Sequence, residues 1–370
     1  MSLECSKKDF TYNFYVNHEI HCEKSKYVRR GLCGLVNAGN KCFLNSIVQC
    51  LSHTLKLTDF FLSQKYKEED PEHMNKRKTI YVVVQSYITL LHNLWDTNQV
   101  IVPRSFVENM SKLVKKYYTL EQQDSHECLM YILDALHKGL SYEIDVNIRG
   151  EVKNESDKLM KMSLETWKSF YEKEYSYILE TFNGMIYNRI ECLQCGDLNV
   201  VDQFEPYNSL SIDIDINKVN SLNDLLKKHF HESDTIKEWH CDKCKQDTGC
   251  KKSSKLWAVP NYLIIHLKRF DNTGKKINSD VKFPLTDLDL TEFISKEKGD
   301  PNNYIYTLYA VNYHSGTLDD GHYWSSCKNL DDNWYKFNDA NVVKVNQIND
   351  IQSKDAYILF YYRKFLKKSD

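Results

Sequence analysis

Phe43, Leu44, Ile47, Val48 and Leu51 recur at helical spacing behind a turn-rich stretch that holds Asn37, Gly39 and Asn40. The pattern predicts an amphipathic helix opening near Cys42. Residues 55–62 extend the apolar pattern, and residues 65–78 read as a charged loop. Residues 80–95 predict a helix; Gln85, Ser86 and His92 interrupt its apolar run, so it is buried and not a membrane span. Pro103 and Arg104 mark a turn into another helix, with Phe106, Met110, Leu113 and Val114 on one face. Leu129, Ile132, Leu133 and Leu136 form the apolar face of a helix that starts from the polar cluster 122–127. There Asp124 and Glu127 have the spacing of a capping box. Residues 141–175 are highly charged and predict a flexible insertion followed by a helix over about 164–177.

From residue 182 the period changes to two. Strands are predicted at 185–190, 199–204 and 209–216, with a short helix at 222–230. Another strand follows at 255–258. The run 262–270 is apolar on both faces, as a central strand would be. The last third reads as strands at 304–313, 321–328, 334–338 and 356–363, separated by Asn, Asp and Gly turns. Helices first and strands afterwards place the chain in the α+β class.

The chain has 370 residues, enough for a large core divided into sub-domains. A net charge of −2 with 27% charged residues gives no bias toward nucleic acid or a membrane surface. Residues 1–20 carry Glu4, Lys7, Lys8 and Asp9 and no apolar core, so no secretory signal is read and an intracellular location, cytoplasmic or nuclear, is expected. In that setting the 12 cysteines point to metal or catalytic use more than to disulfides. Residues 1–33 are read as an N-terminal extension. Its Cys5, His18, His21 and Cys22 match no defensible zinc spacing.

Two CxxC pairs stand out: Cys192 with Cys195, and Cys241 with Cys244. Each suits a knuckle that points two thiolates at one ion, and two such hairpins meeting at their tips would make a closed, structural four-thiolate site. Four unrelated reduced cysteines, or a redox dithiol, are the alternatives. The chemistry of Cys42 is a separate matter. A thiol at a helix start feels the positive end of the helix dipole, which favours the nucleophilic thiolate; a buried cysteine that happens to open a helix is the plain alternative. A cysteine nucleophile needs a histidine to move its proton and a third group to orient the imidazole. His314 and His322 are candidates for the base, the second preceded by Gly321, which permits close approach. If 321–328 and 334–338 are neighbouring strands, Asn338 or Asp339 reaches His322.

The ordered set of motifs resembles the catalytic domain of the ubiquitin-specific proteases over residues 34–364. The motifs are the box around Cys42; Gln122-Gln123-Asp124 with Glu127; Phe182-Asn183-Gly184 followed by the two CxxC pairs; Leu263 to Phe270; and His314-Ser315-Gly316 with Gly321-His322-Tyr323, then Phe337-Asn338-Asp339. The resemblance implies a papain-like cysteine peptidase shaped as thumb (about 34–180), zinc-bearing β fingers (181–258) and palm (259–364), with a short tail over 365–370. It implies Cys42 as nucleophile, His322 as base, Asn338 as the orienting residue with Asp339 beside it, and Asn37 as oxyanion donor. Gln122, Asp124, Glu127, Gly321 and Tyr323 would line the substrate path, Asp124 facing an arginine of the ubiquitin tail. The loops 271–280 and 315–321 would flank the channel for that tail. Cys192, Cys195, Cys241 and Cys244 would hold a structural Zn2+.

The implied reaction is hydrolysis after the C-terminal glycine of ubiquitin on ubiquitinated proteins, with room for an activating protein partner and none for nucleic acid or membrane. Hydrolysis of a ubiquitin-like modifier and a non-catalytic ubiquitin-binding scaffold are the other readings. Ala38 and Lys41 replace the Leu and Thr usual in the cysteine box, and Lys41 places a positive charge next to the nucleophile.

Overall fold

The computed structural model describes residues 2–5, 10–11, 27, 29–69, 78–216, 218–298, 304–317 and 320–364. The side chains of Cys5, His18, His21 and Cys22 lie outside this set, as do residues 70–77 of the charged loop, 318–319 of the second channel loop and the tail 365–370.

The helical half contains α1 (Cys42–Ser52), α2 (Leu55–Leu62), α3 (Lys78–Asp96), α4 (Arg104–Leu113), α5 (Ser125–Leu140), α6 (Glu155–Tyr171) and α7 (Tyr177–Phe182). α6 starts earlier than its apolar pattern predicts and ends earlier too. Asn154 caps it, its side chain accepting from Asp157 N at 2.9 Å, and Glu155 and Asp157 occupy the first turn, where the helix dipole favours acid. Those charges mask the buried Leu159, which begins the stripe continued by Leu164, Trp167 and Tyr171. Ser176 then caps a separate helix, α7.

The strands are β1 (Gly184–Cys192), β2 (Gly196–Tyr207), β3 (Leu210–Asp213), β4 (Cys250–Ala258), β5 (Tyr262–Lys268), β6 (Ile305–Gly316), β7 (Gly321–Lys328), β8 (Trp334–Asn338), β9 (Asn341–Lys344) and β10 (Ala356–Arg363); helix α8 (Leu222–His231) lies between β3 and β4. The main sheet runs β9-β8-β7-β6-β10-β5-β3. Its pairs are antiparallel except β5 with β3. A second sheet runs β2-β1-β4 with Asp234–Ile236 at its edge, and the hairpin of β1 and β2 projects the Cys192–Cys195 turn.

Both faces of the main sheet are covered, which explains strands with no polar side. On β5, Tyr262 and Ile264 join the core shared with α1, α3 and α5, while Leu263, Ile265 and Leu267 join a second core beneath α8. β10 divides in the same way: Tyr357, Ile358 and Phe360 face one core, and Ala356, Leu359 and Tyr361 the other. A third cluster seats α6 on the second sheet through Trp167, Tyr187 and Trp257. The first core is continuous from Cys42, Ile47 and Leu51 of α1 to Ala310, Tyr323, Cys327 and Phe337 of the sheet. The helix that starts at Cys42 therefore lies directly on the strands that carry the histidines.

Candidate active site

Cys42 is the first residue of α1 and is almost fully buried. The loop before it is built by local polar bonds. Asn37 Oδ1 accepts from Lys41 N at 2.7 Å, and Asn40 takes a left-handed conformation (φ 52°) that asparagine tolerates. Upstream, Gly34 lets the chain press against the turn after β8. A Cβ there would sit 2.1 Å from the Ala340 carbonyl oxygen, and Leu35 N donates to Asp339 O at 2.8 Å next door. Two segments distant in sequence, the cysteine loop and the Asn338–Asp339 turn, are thereby joined. No side chain caps the first N–H groups of α1, which leaves them aimed at the space in front of the thiol.

His322 is the second residue of β7, and Gly321 before it lies against His314, whose Nε2 would be 2.2 Å from a Cβ at that position. Pairing of β7 with β8 through Ser325 and Phe337 brings Asn338 alongside, and His322 Nε2 donates to Asn338 Oδ1 at 2.6 Å. Nδ1 is then the ring nitrogen left for Cys42. The pull of the Cys42 sulfur above all, then Asn338 and the charges of Cys42 and Asp339, raises the imidazole to about 9 against the opposing effect of burial. The chain Cys42–His322–Asn338 is complete.

Asp339 does not touch His322. It sits at φ 49° in the turn, and its carboxylate accepts from Asn37 Nδ2 at 3.1 Å and Asn45 Nδ2 at 2.9 Å. It acts on the imidazole by charge only, while holding Asn37 in the loop before Cys42. Lys41 is buried with its Nζ on Thr119 O at 2.8 Å; burial lowers its pKa and the charge of Cys42 opposes that. It joins the cysteine loop to the segment leading into Gln122. Gln122 Oε1 faces Cys42 Sγ at 3.9 Å.

Asp124 caps α5, accepting from Glu127 N at 2.7 Å through Oδ1, and accepts the Tyr357 hydroxyl through Oδ2. Tyr357 comes from the far end of the chain and had no sequence signal. Glu127 pairs with Lys116 at the surface and does not return to the cap. Tyr323 is buried against His314, with ring centroids 4.5 Å apart, and its phenol meets Ser125. It lies under the cleft floor. His314 is buried with its pKa lowered to about 4, first by burial and then by Lys276 and His322. A neutral, enclosed ring does not compete with His322 for the role of base.

At the other end of the second sheet the two CxxC turns meet. The four sulfur atoms lie within 4.8 Å of one another, with Cys192–Cys244 and Cys195–Cys241 each at 3.9 Å. Four thiolates placed 2.3 Å from one ion in a tetrahedron stand about 3.8 Å apart, so the cluster fits a metal of that kind. Both turns have the same form: Cys195 N points at Cys192 Sγ at 3.4 Å and Cys244 N at Cys241 Sγ at 3.5 Å. Thr248 adds a bond to Cys192, at 3.1 Å, and is the main reason its pKa falls to about 6; Asn199 Nδ2 donates to Cys241 Sγ at 2.9 Å. Among the described residues, no helix is long and apolar enough to cross a membrane.

Known proteins resemble this chain along most of its length. The family model described as ubiquitin carboxyl-terminal hydrolase matches residues 33–361. Human ubiquitin carboxyl-terminal hydrolase 2 is 32% identical over 347 residues, covering 90% of this chain and 55% of its own length. The Gallus gallus protein of that name is 32% identical over 352 residues, covering 91% of this chain and 95% of its own length. The chain thus spans little more than half the length of the human relative. Among solved structures, the Ubp8/Sgf11/Sus1/Sgf73 DUB module of SAGA bound to ubiquitin aldehyde superposes with a TM-score of 0.69 at 24% identity, covering 92% of this chain and 71% of that one. That likeness establishes the papain-like architecture. With residues 33–361 matched and relatives above 30% identity along most of the chain, this protein belongs to the ubiquitin carboxyl-terminal hydrolase family.

Proposed function

We propose that this chain is a thiol-dependent deubiquitinase that hydrolyses the bond after the C-terminal glycine of ubiquitin. The observation that carries the reading is the alignment of Cys42, His322 and Asn338, with the His322 ring held by Asn338 Oδ1 at 2.6 Å and raised most strongly by the neighbouring Cys42. Cys42 Sγ attacks the glycine carbonyl. The oxyanion is met by the Asn37 amide and the uncapped N–H groups at the start of α1. His322 gives its Nδ1 proton to the departing lysine amine, the C–N bond breaks and a thioester remains. Water then attacks the thioester carbonyl, His322 takes its proton, and the C–S bond breaks to return the thiol. Asn338 holds the ring by accepting from Nε2, and Asp339 adds negative charge and holds Asn37 in place.

Gln122, Asp124, Glu127, Gly321 and Tyr323 form the proposed tail path in two ways. Gln122 and the Asp124 carboxylate border the cleft, whereas Gly321 and Tyr323 shape its floor. The helical half is assigned as thumb, the second sheet as fingers and the main sheet as palm. Cys192, Cys195, Cys241 and Cys244 are proposed to hold Zn2+, which when bound ties the two fingertip turns together. A partner-dependent state is consistent with the neighbour solved as a multi-subunit module with ubiquitin aldehyde.

The raised imidazole leads to a pH prediction. The acid form of His322 is needed to protonate the leaving amine, so acylation should fall as pH rises through about 9. In Asn338→Ala a bond that favours the imidazolium is lost, and this alkaline limb should shift to lower pH. A pH–rate profile of kcat/KM checks both.

The activity itself is tested by hydrolysis of a fluorogenic amide on the C-terminus of ubiquitin, run beside the same amide on ubiquitin-like modifiers. Turnover of ubiquitin with little turnover of the others supports the proposal. Preference for another modifier shifts it to that modifier. Binding of ubiquitin without turnover would support the scaffold reading, which an intact triad argues against.

A further inference from the structure

Asn312 lies on β6 with none of its surface exposed, at the border between the helices and the main sheet. Its Nδ2 donates to Ser46 Oγ of α1 at 2.8 Å, and its Oδ1 accepts from Ser125 Oγ of α5 at 2.8 Å. Ser46 Oγ in turn donates to Phe43 O at 3.1 Å, and Ser125 meets the Tyr323 phenol on β7. The bridge is set in the core that holds Phe43, Ile47, Ala310 and Leu129.

We propose that Asn312 is a positioning residue whose buried amide fixes α1 and α5 on the main sheet and so sets Cys42 opposite His322 before any substrate arrives. Ser46 is four residues after Cys42, on the same face of α1. Asn312 pairs with Ser325 on β7, the strand that carries His322. The bridge therefore links the element carrying the nucleophile to the sheet carrying the base by one side chain. Apolar packing alone does not hold such a register well, because hydrophobic contact is non-directional. Amide–hydroxyl bonds fail within a few tenths of an ångström of stretch or a modest tilt. A slide of α1 along the sheet would strand a buried amide and two hydroxyls, which disfavours the misaligned state. A displacement of about 1 Å between reacting groups can cost roughly 100-fold in rate, so this restraint matters to chemistry.

The inference rests on Cys42 and His322 being the nucleophile and base proposed above, so its test is made on the free chain without ubiquitin. Asn312→Leu keeps the branched shape and removes the amide. Two quantities are read: the rate at which iodoacetamide modifies Cys42 at pH 7, followed by the mass of its peptide, and the NMR titration midpoint of the His322 ring. The wild type should alkylate fast and titrate near 9. In Asn312→Leu alkylation should slow ~10-fold or more, and the midpoint should move toward the ordinary value of 6.5.

The triple variant S46A/S125A/N312L removes the amide and both hydroxyls it bonds and should recover most of the thermal midpoint, because the Tyr323 phenol keeps the Ser125 backbone. It should stay slow in alkylation. If the alkylation rate and the His322 midpoint return together with stability in the triple variant, or never change in Asn312→Leu, the positioning role is wrong. A wild type that never turns over ubiquitin would sink the deubiquitinase proposal, yet this comparison would still read the alignment of the two side chains.

Discussion

Cys42→Ala is expected to abolish hydrolysis while leaving the fold and ubiquitin binding in place. Among the described residues, this is the sulfur at the start of α1, the strongest influence on the His322 ring and facing Gln122 at 3.9 Å. Without it, His322 and the oxyanion donors can act only on bound water. In hydrolases of this logic, loss of one member of the nucleophilic set costs roughly 10^4–10^6 in kcat, because the remaining members have nothing to activate. The side chain is small, and its removal should lower stability by no more than about 1–2 kcal/mol. Asp124, proposed to meet the ubiquitin tail, is held independently of Cys42 by the α5 backbone and Tyr357. Steady-state turnover and calorimetric binding of ubiquitin therefore separate cleanly: turnover drops to background and Kd changes little. Measurable turnover in the variant would require another nucleophile.

The second large effect concerns the fingertips. Cys192→Ser should release the metal and unfold the tips of the fingers. The hairpin around Cys241 and Cys244 consists of two-residue strands, His240–Cys241 and Gln246–Asp247, and the neighbouring Leu193 is half exposed. So little apolar burial cannot hold two turns together against chain entropy. Structural zinc in small peptides contributes on the order of 10–16 kcal/mol, enough to account for their order. Elemental analysis should find one zinc per chain in the wild type and far less than one in the variant, with a lower melting temperature. Chelation of the wild type should reproduce that shift. Zinc content unchanged by Cys192→Ser would contradict the fingertip assignment.

Much of this site was legible in the sequence where local chemistry is strong. The apolar spacing after Cys42 located α1, Asp124 was read as a helix cap, and the CxxC pairs marked two turns that meet. The choice between Asn338 and Asp339 was not legible. Adjacent residues at a strand end point to opposite sides, so the answer depends on how β8 pairs with β7 and on the left-handed turn at Asp339. Lys41 reads as a charge beside the nucleophile, but its long side chain reaches away to the Thr119 carbonyl. The partners Asn45, Tyr357 and Asn312 carry no local signal, because each is brought in by tertiary packing. The early start of α6 was hidden by its charged first turns, which suit an exposed helix as well as a loop.

The central claim is that Cys42 attacks the C-terminus of ubiquitin. Its most direct test is to mix the full chain with ubiquitin bearing a C-terminal electrophile and to map the product by mass spectrometry. The account predicts one stoichiometric covalent adduct, joined at Cys42 Sγ, fast in the wild type and absent in Cys42→Ala. No adduct, or an adduct at another cysteine that persists in Cys42→Ala, would contradict it.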